Sequence, residues 1–167
     1  MRKDTYHLPI GFYGGKFLPM HKGHLYCIDV AARMCNRVIV ILFTGGDDEE
    51  KVLSESNDKE LQLAERIKQV DRVCSMYKNV EFHVIDTHEC RLPDGSEDWD
   101  AETPLVRRYV PKMDYVFSSE PVYEEYFSRA YPEAKHIIVD AERKTYPISS
   151  TMIRAMKTME DKSKWMV

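Results

Sequence analysis

The chain has 167 residues, of which 43% are hydrophobic and 31% are charged, and its formal net charge is −4 at pH 7. This composition is that of an ordinary globular chain and argues against disorder, and the length predicts one domain over residues 1–167. The negative net charge disfavours non-specific binding to nucleic acid or to an anionic membrane, because both attract a broad basic surface. We therefore expect neither nucleic acid nor a membrane as a partner.

The sequence predicts a cytoplasmic location. No apolar run approaches the roughly 20 residues that cross a bilayer, and the start, MRKDTYHLPI, lacks a hydrophobic segment of signal-peptide length. The four cysteines have neither the CxxC spacing of a metal site nor the density of a disulfide scaffold, so we expect reduced thiols. They are Cys27, Cys35, Cys74 and Cys90.

Five short runs of β-branched and aromatic residues have the length of strands. In chain order they cover residues 8–13, 37–43, 79–85, 114–118 and 136–139. Between the strands, apolar residues recur at helical spacing, as in the sets Leu25, Ile28, Ala32, Cys35 and Leu63, Ile67, Val70, Cys74. This alternation predicts right-handed βαβ crossovers and an α/β fold with a doubly wound, parallel, five-stranded sheet of Rossmann-like type.

Three further segments carry weaker expectations. The charged connections 44–58 and 86–98 are predicted to be mobile loops at the ligand end of the sheet, with ordinary solvated surface as the alternative. The polar tail 157–167 is expected to fray, or to dock Trp165 on a neighbouring subunit. Arg66, on the second helix, is expected to be a surface residue.

The first chemical motif is GGKFLPMHKGH, residues 14–24, directly after the first strand; we call it the histidine motif. It is not a Walker loop, because Phe17 stands where a magnesium-binding hydroxyl is needed, and the GxGxxG and GxSxG patterns are absent. Gly14 and Gly15 allow a tight turn, and Lys16 supplies a positive charge. If a helix begins near residue 22, its free N–H groups and the imidazoles of His21 and His24 face one anion.

The alternative readings of this histidine pair are a surface or capping role and a metal site. A metal site lacks an obvious third ligand among His83, His88 and Cys90.

The second motif is ISSTMIR, residues 148–154, which we call the serine motif. Ser149, Ser150 and Thr151 are residue types that cap a helix, and Arg154 falls one turn inside the helix that they would begin. Hydroxyls, N–H groups and a guanidinium can then surround a polyphosphate. The alternative is a simple helix cap.

The two motifs together resemble the paired HxGH and ISSTxIR signatures of the nucleotidylyltransferase superfamily. The details are closest to nicotinamide mononucleotide (NMN) adenylyltransferases, especially the adenylyltransferase part of the bacterial bifunctional NAD-biosynthesis regulator. They are GKFLPMHKGH, the Trp99-Asp100 pair, SSE at 118–120 and VDAER at 139–143. Leu18 replaces the aspartate of GxFDP and GTFD starts, which argues against phosphopantetheine and nicotinic-acid-mononucleotide adenylyltransferases and against cytidylyltransferases. At this length we expect neither a helix-turn-helix nor a kinase domain.

The resemblance implies that AMP passes from ATP to NMN, giving NAD and pyrophosphate, with Mg²⁺ bound mainly through the ATP phosphates and without a named protein ligand. Homo-oligomers are frequent among such relatives. The implied catalytic residues are His21, His24, Lys16 and Arg154. The implied ATP-binding residues are Gly14, Gly15, Lys16, Phe17, His24, Ser118, Ser149, Ser150, Thr151 and Arg154. The implied acceptor-binding residues are Trp99, Asp100 and Arg143.

Two alternatives stay open. One is another nucleotidylyltransferase that uses CTP or a different phosphate acceptor. The other is a catalytically silent nucleotide sensor that kept the fold.

Overall fold

The computed structural model describes residues 8–167. The prediction that the start of the chain lacks a signal peptide concerns residues 1–10, and the first seven of these lie outside the described residues. The described part contains five strands: β1 Ile10–Gly15, β2 Arg37–Thr44, β3 Val80–Asp86, β4 Tyr115–Ser118 and β5 Lys135–Ile138. It also contains seven α-helices: α1 Lys22–Met34, α2 Asp47–Glu55, α3 Leu63–Cys74, α4 Trp99–Tyr109, α5 Glu124–Ala130, α6 Ser150–Ala155 and α7 Met159–Ser163.

The strands form one parallel sheet in the order β3-β2-β1-β4-β5. The chain builds one half from β1 outwards to β3 and then crosses over to add β4 and β5 on the other side. The strand order therefore reverses between β1 and β4, the place where open α/β sheets bind ligands beyond the carboxyl ends of their strands. The predicted doubly wound sheet is confirmed.

Helices cover both faces of the sheet, and β2 shows the consequence most clearly. Val38, Val40 and Leu42 of β2 belong to one buried cluster with residues of α1 and α3, whereas Ile39 and Ile41 belong to a second cluster with residues of α4. A strand buried on both faces has apolar side chains in both directions. This explains the unbroken apolar run in the sequence.

Residues 44–58 do not form the predicted loop, because most of them fold as α2. Four acidic residues, Asp47, Asp48, Glu49 and Glu50, occupy the first turn of this helix, where the helix dipole stabilises negative charge. Glu49 is buried and accepts a hydrogen bond of 2.7 Å from the Thr44 hydroxyl. The acidic run is thus a helix start, and one of its members belongs to the interior.

Arg66 was also wrongly expected on the surface. Its side chain is fully buried in α3, where Nη1 donates to the Lys16 carbonyl at 2.9 Å and Nη2 lies 2.9 Å from the Glu49 carboxylate. A buried guanidinium is tolerated because it has a charged partner and an accepting carbonyl. The partners come from other elements, so the local pattern of α3 does not reveal them.

The tail was expected to fray, but it is packed against the rest of the chain. The Lys22 N–H donates to the Trp165 carbonyl at 2.8 Å, and the backbone of His21 forms an antiparallel bridge with that of Met166. Lys162 is buried and pairs with Glu60 at 2.6 Å. The tail therefore packs against the first turn of α1 within its own chain.

The four cysteines are free thiols, as expected, and all are buried. Within residues 8–167, none of the helices combines the length and the apolar character that crossing a bilayer requires.

Candidate active site

A cavity of about 900 Å³ opens at the carboxyl ends of β1 and β4. Its wall contains residues of the histidine motif, the serine motif, the start of α4 and the segment after β4. The sequence-predicted site residues on this wall are Gly14, Gly15, Lys16, Phe17, His21, His24, Trp99, Ser118, Arg143, Ser149, Ser150, Thr151 and Arg154. The fold thus brings 13 of the 14 predicted residues to one space, which is of the size that holds small-molecule ligands.

The turn after β1 is shaped by close packing. A Cβ atom on Gly14 would lie 2.5 Å from Cε2 of Phe43, so only glycine fits there without a shift of that ring. Phe17 has a φ of 50° and is buried, and its ring meets the His24 ring edge-on with centroids 4.9 Å apart. Phe17 therefore packs behind His24 and supports its orientation.

His21 and His24 cap α1 reciprocally. The Gly23 N–H donates to Nδ1 of His21 at 3.0 Å, and the His21 N–H donates to Nδ1 of His24 at 3.0 Å. Because each Nδ1 accepts a backbone hydrogen bond, the proton of each neutral ring is on Nε2. The ring centroids are 3.8 Å apart, so the pair presents two adjacent N–H donors.

Both imidazoles are held in the neutral form. Burial, reinforced by the positive charge of Arg143, lowers the pKa of His21 to about 4. Burial also lowers the pKa of His24 well below its ordinary value, with further contributions from His21 and Arg143. Near pH 7 the pair therefore donates hydrogen bonds without carrying charge.

The expectation that free N–H groups of α1 face an anion was wrong. The Lys22 N–H donates to Trp165, the Gly23 N–H to the His21 ring, and the His24 N–H to the His21 carbonyl at 3.0 Å. The helix start is thus already capped by the tail and by the histidine. The two histidine rings keep their Nε2–H groups as hydrogen-bond donors.

The serine motif is hydrogen-bonded directly onto the histidine motif. Nη1 of Arg154 donates to the Leu18 carbonyl at 2.6 Å, and the Ser150 hydroxyl donates to the Pro19 carbonyl at 2.9 Å. Nη2 of Arg154 lies 3.3 Å from the Thr151 hydroxyl. Two motifs from opposite ends of the chain thereby form one continuous wall.

Ser149 is the N-cap residue of α6, and its hydroxyl accepts from the Met152 N–H at 3.1 Å. The capping alternative for the serine motif therefore holds for this residue. The same turn also lines the cavity.

Lys16 is held by carboxylates on the cavity wall. Its Nζ lies 2.5 Å from Oε1 of Glu97 and 3.2 Å from Oδ2 of Asp48. Burial acts to lower the pKa of Lys16, but the hydrogen bonds and charges of Glu97 and Asp48 outweigh it and raise the pKa. Lys16 is thus a cation at neutral pH.

The start of α4 carries an aromatic group. Trp99 is 37% exposed, and its ring centroid lies 5.1 Å from that of Tyr123 and 5.5 Å from that of Tyr126. All three rings line the cavity. Asp100 is the one predicted site residue outside the cavity wall, and its carboxylate pairs with Arg129 at 3.0 Å.

Ser118 and Arg143 are fixed by polar neighbours. The Ser118 hydroxyl lies 2.6 Å from Nε2 of His136, whose Nδ1 contacts Glu124 at 2.5 Å. Arg143 donates to Glu120 at 2.7 Å and to the Ile148 carbonyl at 2.9 Å. The Ile148 contact ties the loop of Arg143 to the start of the serine motif.

Sequence reasoning missed several acidic residues of the cavity. Asp47 and Asp48 were assigned to a loop, and Glu97 and Glu102 were not singled out. One oxygen of each of Asp47, Asp48 and Glu97 lies within 4.8 Å of the others. A usable signal existed for Glu102, which follows Trp99 by three positions, since that spacing places two side chains on one face of a helix.

The sequence of the chain matches a known family over most of its length. The cytidylyltransferase-like family matches residues 12–156. The chain belongs to this family. Membership places the cytidylyltransferase-like chain among the nucleotidyltransferases, in the superfamily that the two motifs indicated.

Individual relatives of this cytidylyltransferase-like chain are named for NAD biosynthesis. It is 26% identical over 157 residues to the trifunctional NAD biosynthesis/regulator protein NadR of Escherichia coli (strain K12), covering 87% of this chain and 36% of the relative. The NadR relatives of Escherichia coli and Salmonella typhimurium are both matched over about a third of their length.

Solved structures share the fold. A NadR protein crystallised in complex with NR has a TM-score of 0.66 at 20% identity, covering 95% of this chain and 43% of that one. A putative nicotinate-nucleotide adenylyltransferase from Vibrio parahaemolyticus has a TM-score of 0.57 at 19% identity, covering 96% and 94%.

Proposed function

We propose that the chain transfers AMP from ATP to nicotinamide mononucleotide, giving NAD and pyrophosphate. The observation that carries this proposal is the direct hydrogen bonding of Arg154 and Ser150 to the turn that holds His21 and His24. It places a guanidinium and two neutral N–H donors around one cavity, an arrangement suited to a polyphosphate. The similarity to NadR proteins supports a pyridine mononucleotide as the acceptor.

The reaction needs little covalent chemistry from the protein. A phosphate oxygen of the mononucleotide attacks the α-phosphorus of ATP, and the bond from that phosphorus to the bridging oxygen of pyrophosphate breaks in line. The nucleophile is already an anion, so no general base is required. Catalysis then depends on positioning and on stabilising the charge that develops on the phosphate oxygens.

We assign complementary roles to the four predicted catalytic residues. The Nε2–H groups of His21 and His24 donate to the α-phosphate and the bridging oxygen, where negative charge increases in the transition state. Lys16 and Arg154 hold the β and γ oxygens of the leaving pyrophosphate. Lys16 must first leave its carboxylate partners Glu97 and Asp48.

Mg²⁺ is the metal that we propose for this reaction, bound mainly through the ATP phosphates. Carboxylate oxygens are ligands that Mg²⁺ accepts, directly or through its water shell, and Asp47 and Asp48 offer them on the cavity wall. When bound, the ion neutralises negative charge on the polyphosphate.

The aromatic group at the start of α4 suits the acceptor ring. The face of Trp99 can stack on a cationic pyridinium, an interaction that indole favours among the aromatic side chains. Asp100 stays a predicted acceptor ligand whose pairing with Arg129 does not support the role.

A panel assay tests the proposal. The protein is incubated with Mg²⁺, one nucleoside triphosphate and one acceptor at a time, and pyrophosphate release is followed together with the mass of the product. We expect release with ATP and NMN, and a product with the mass of NAD. Release only with CTP, or with an unrelated phosphate acceptor, would assign the chain to another nucleotidylyltransferase reaction. The absence of release with every pair would indicate a silent sensor.

A further inference from the structure

Two buried carboxyl groups, Glu97 and Glu102, form an acidic pair on the cavity wall beside the aromatic group. The Glu97 side chain is 10% exposed and Glu102 is 8% exposed, and both line the cavity with Trp99, Tyr123 and Tyr126. Oε1 of Glu102 accepts no hydrogen bond from an N–H or O–H group among the described residues other than the Glu97 carboxyl. A buried polar atom without a partner is costly, so this end of the cavity is suited to a ligand that supplies one.

The electrostatics of the pair favour the protonated form of Glu102 near pH 7. Burial raises the pKa of Glu102, and the charge of Glu97 and a side-chain hydrogen bond with it raise the pKa further, to about 8, while Lys16 acts in the opposite direction. Lys16 contacts Glu97 directly, at 2.5 Å. The acidic pair therefore shares one lysine, which is also a residue that a polyphosphate attracts.

Binding of ATP changes this balance. Once Lys16 turns to the phosphate oxygens, Glu97 loses its direct ion pair with that lysine, and the pair stays in a poorly solvated region beside the aromatic rings. A second cation lowers the free energy of such a site most when it is flat enough to stack on Trp99. The pyridinium ring of an oxidised nicotinamide nucleotide has both properties.

We propose that Glu97 and Glu102 determine acceptor specificity, selecting a cationic pyridinium with an uncharged carboxamide over a ring with a carboxylate. This inference rests on the proposed function. Whatever the protonation state of Glu102, its carboxyl group has an accepting oxygen, and a primary amide supplies an N–H for it. A carboxylate supplies no donor and adds negative charge beside Glu97.

Three acceptors separate the two parts of this selection. NMN has a cationic ring and an amide, its dihydropyridine form has a neutral ring and an amide, and nicotinic acid mononucleotide has a cationic ring and a carboxylate. We expect kcat/KM of the wild type to be highest for NMN, lower for the neutral ring and lowest for the acid. The values are measured at one pH with saturating ATP.

Glu102→Gln is the decisive variant, because glutamine keeps the size of the side chain, removes the ionisable carboxyl group and offers an N–H to a carboxylate. We expect the ratio of kcat/KM for NMN to that for the acid to fall by about tenfold or more, since sites that hydrogen-bond a substrate group discriminate strongly. Glu97→Gln should shift the ratio in the same direction. Glu89→Gln, at an exposed position of the same connection, is the matched control and should leave the ratio unchanged.

The outcomes distinguish this inference from the proposed function. If the wild type releases no pyrophosphate with any of the three acceptors, the proposed function fails. If the wild type is active but Glu102→Gln keeps the wild-type ratio, or slows all three acceptors equally, the specificity role is wrong. Urea unfolding of each variant accompanies the kinetics, and the ratio between acceptors is independent of the fraction of folded protein.

Discussion

His21 and His24 show how one pair of side chains both builds a helix start and prepares a site. Their Nδ1 atoms cap α1, and the capping bonds leave the protons on Nε2. Burial then keeps both rings neutral. A neutral donor is preorganised for charge that develops in a transition state and does not bind a ground-state anion as strongly as a cation would.

The depressed pKa of His21 predicts a pH dependence of folding stability. The folded-state pKa is about 4 against an ordinary value of 6.5, so the unfolded chain takes up the proton first as the pH falls. Stability from the neutral ring is complete above about pH 6.5 and is lost progressively towards pH 4. From pH 7 to pH 5 the wild type should lose on the order of 2 kcal/mol more unfolding free energy than His21→Gln.

Urea unfolding of both proteins at the two pH values measures this difference. Equal losses in the wild type and in His21→Gln would show that the imidazole titrates in the folded protein as it does in the unfolded chain.

At the scale of elements, the buried ion pair of Arg66 and Glu49 connects α3, α2 and the turn of the histidine motif. Arg66 donates to the Lys16 carbonyl, and Glu49 accepts from Thr44 at the end of β2. This network holds the turn of the histidine motif from its buried side. The network has a large effect on the free energy of unfolding only when one partner is removed.

Arg66→Met should therefore lower the unfolding free energy by about 3–5 kcal/mol, because it leaves the Glu49 carboxylate buried without its cation. The double variant Arg66→Met, Glu49→Met should recover most of that loss. Arg72→Met, at an exposed position of the same helix, is the control and should change stability by less than about 0.5 kcal/mol. A double variant as unstable as the single one would contradict the argument.

The sequence predicts those elements whose signal is local. The apolar run of β2 is recognisable within a few residues, so the sequence predicts the strand. The two motifs are chemically distinctive over similarly short stretches, so they predict where the site lies in the fold and most of the residues that line the cavity. Arg66 and Glu49 are buried because they pair across elements, which no local window contains. The acidic start of α2 resembles solvated loop in composition, although the helix dipole stabilises it.

At the scale of the whole molecule, the tail and the active-site turn are one unit. The Trp165 carbonyl accepts the Lys22 N–H, and Lys162 anchors α7 through Glu60 and Asp58. Such pairing of residues far apart in sequence is invisible to composition, which suggests only a polar tail.

Removing the anchor should loosen the start of α1. Lys162→Ala leaves the Glu60 carboxylate buried without its cation, so we expect hydrogen exchange of the Lys22 amide to accelerate by about tenfold or more. Lys164→Ala removes only an exposed contact of 3.8 Å to Asp161 and is the control. Unchanged exchange at Lys22 in Lys162→Ala would show that α7 does not support this turn.

The most direct test of the account is the kinetics of His24→Ala with ATP, Mg²⁺ and NMN, measured beside the affinity for ATP. Removing one preorganised donor costs on the order of 3 kcal/mol in the transition state, so turnover should fall by about two to three orders of magnitude while ATP affinity changes little. Nearly normal turnover in this variant would contradict the assignment of the two imidazoles and the adenylyl transfer built on it.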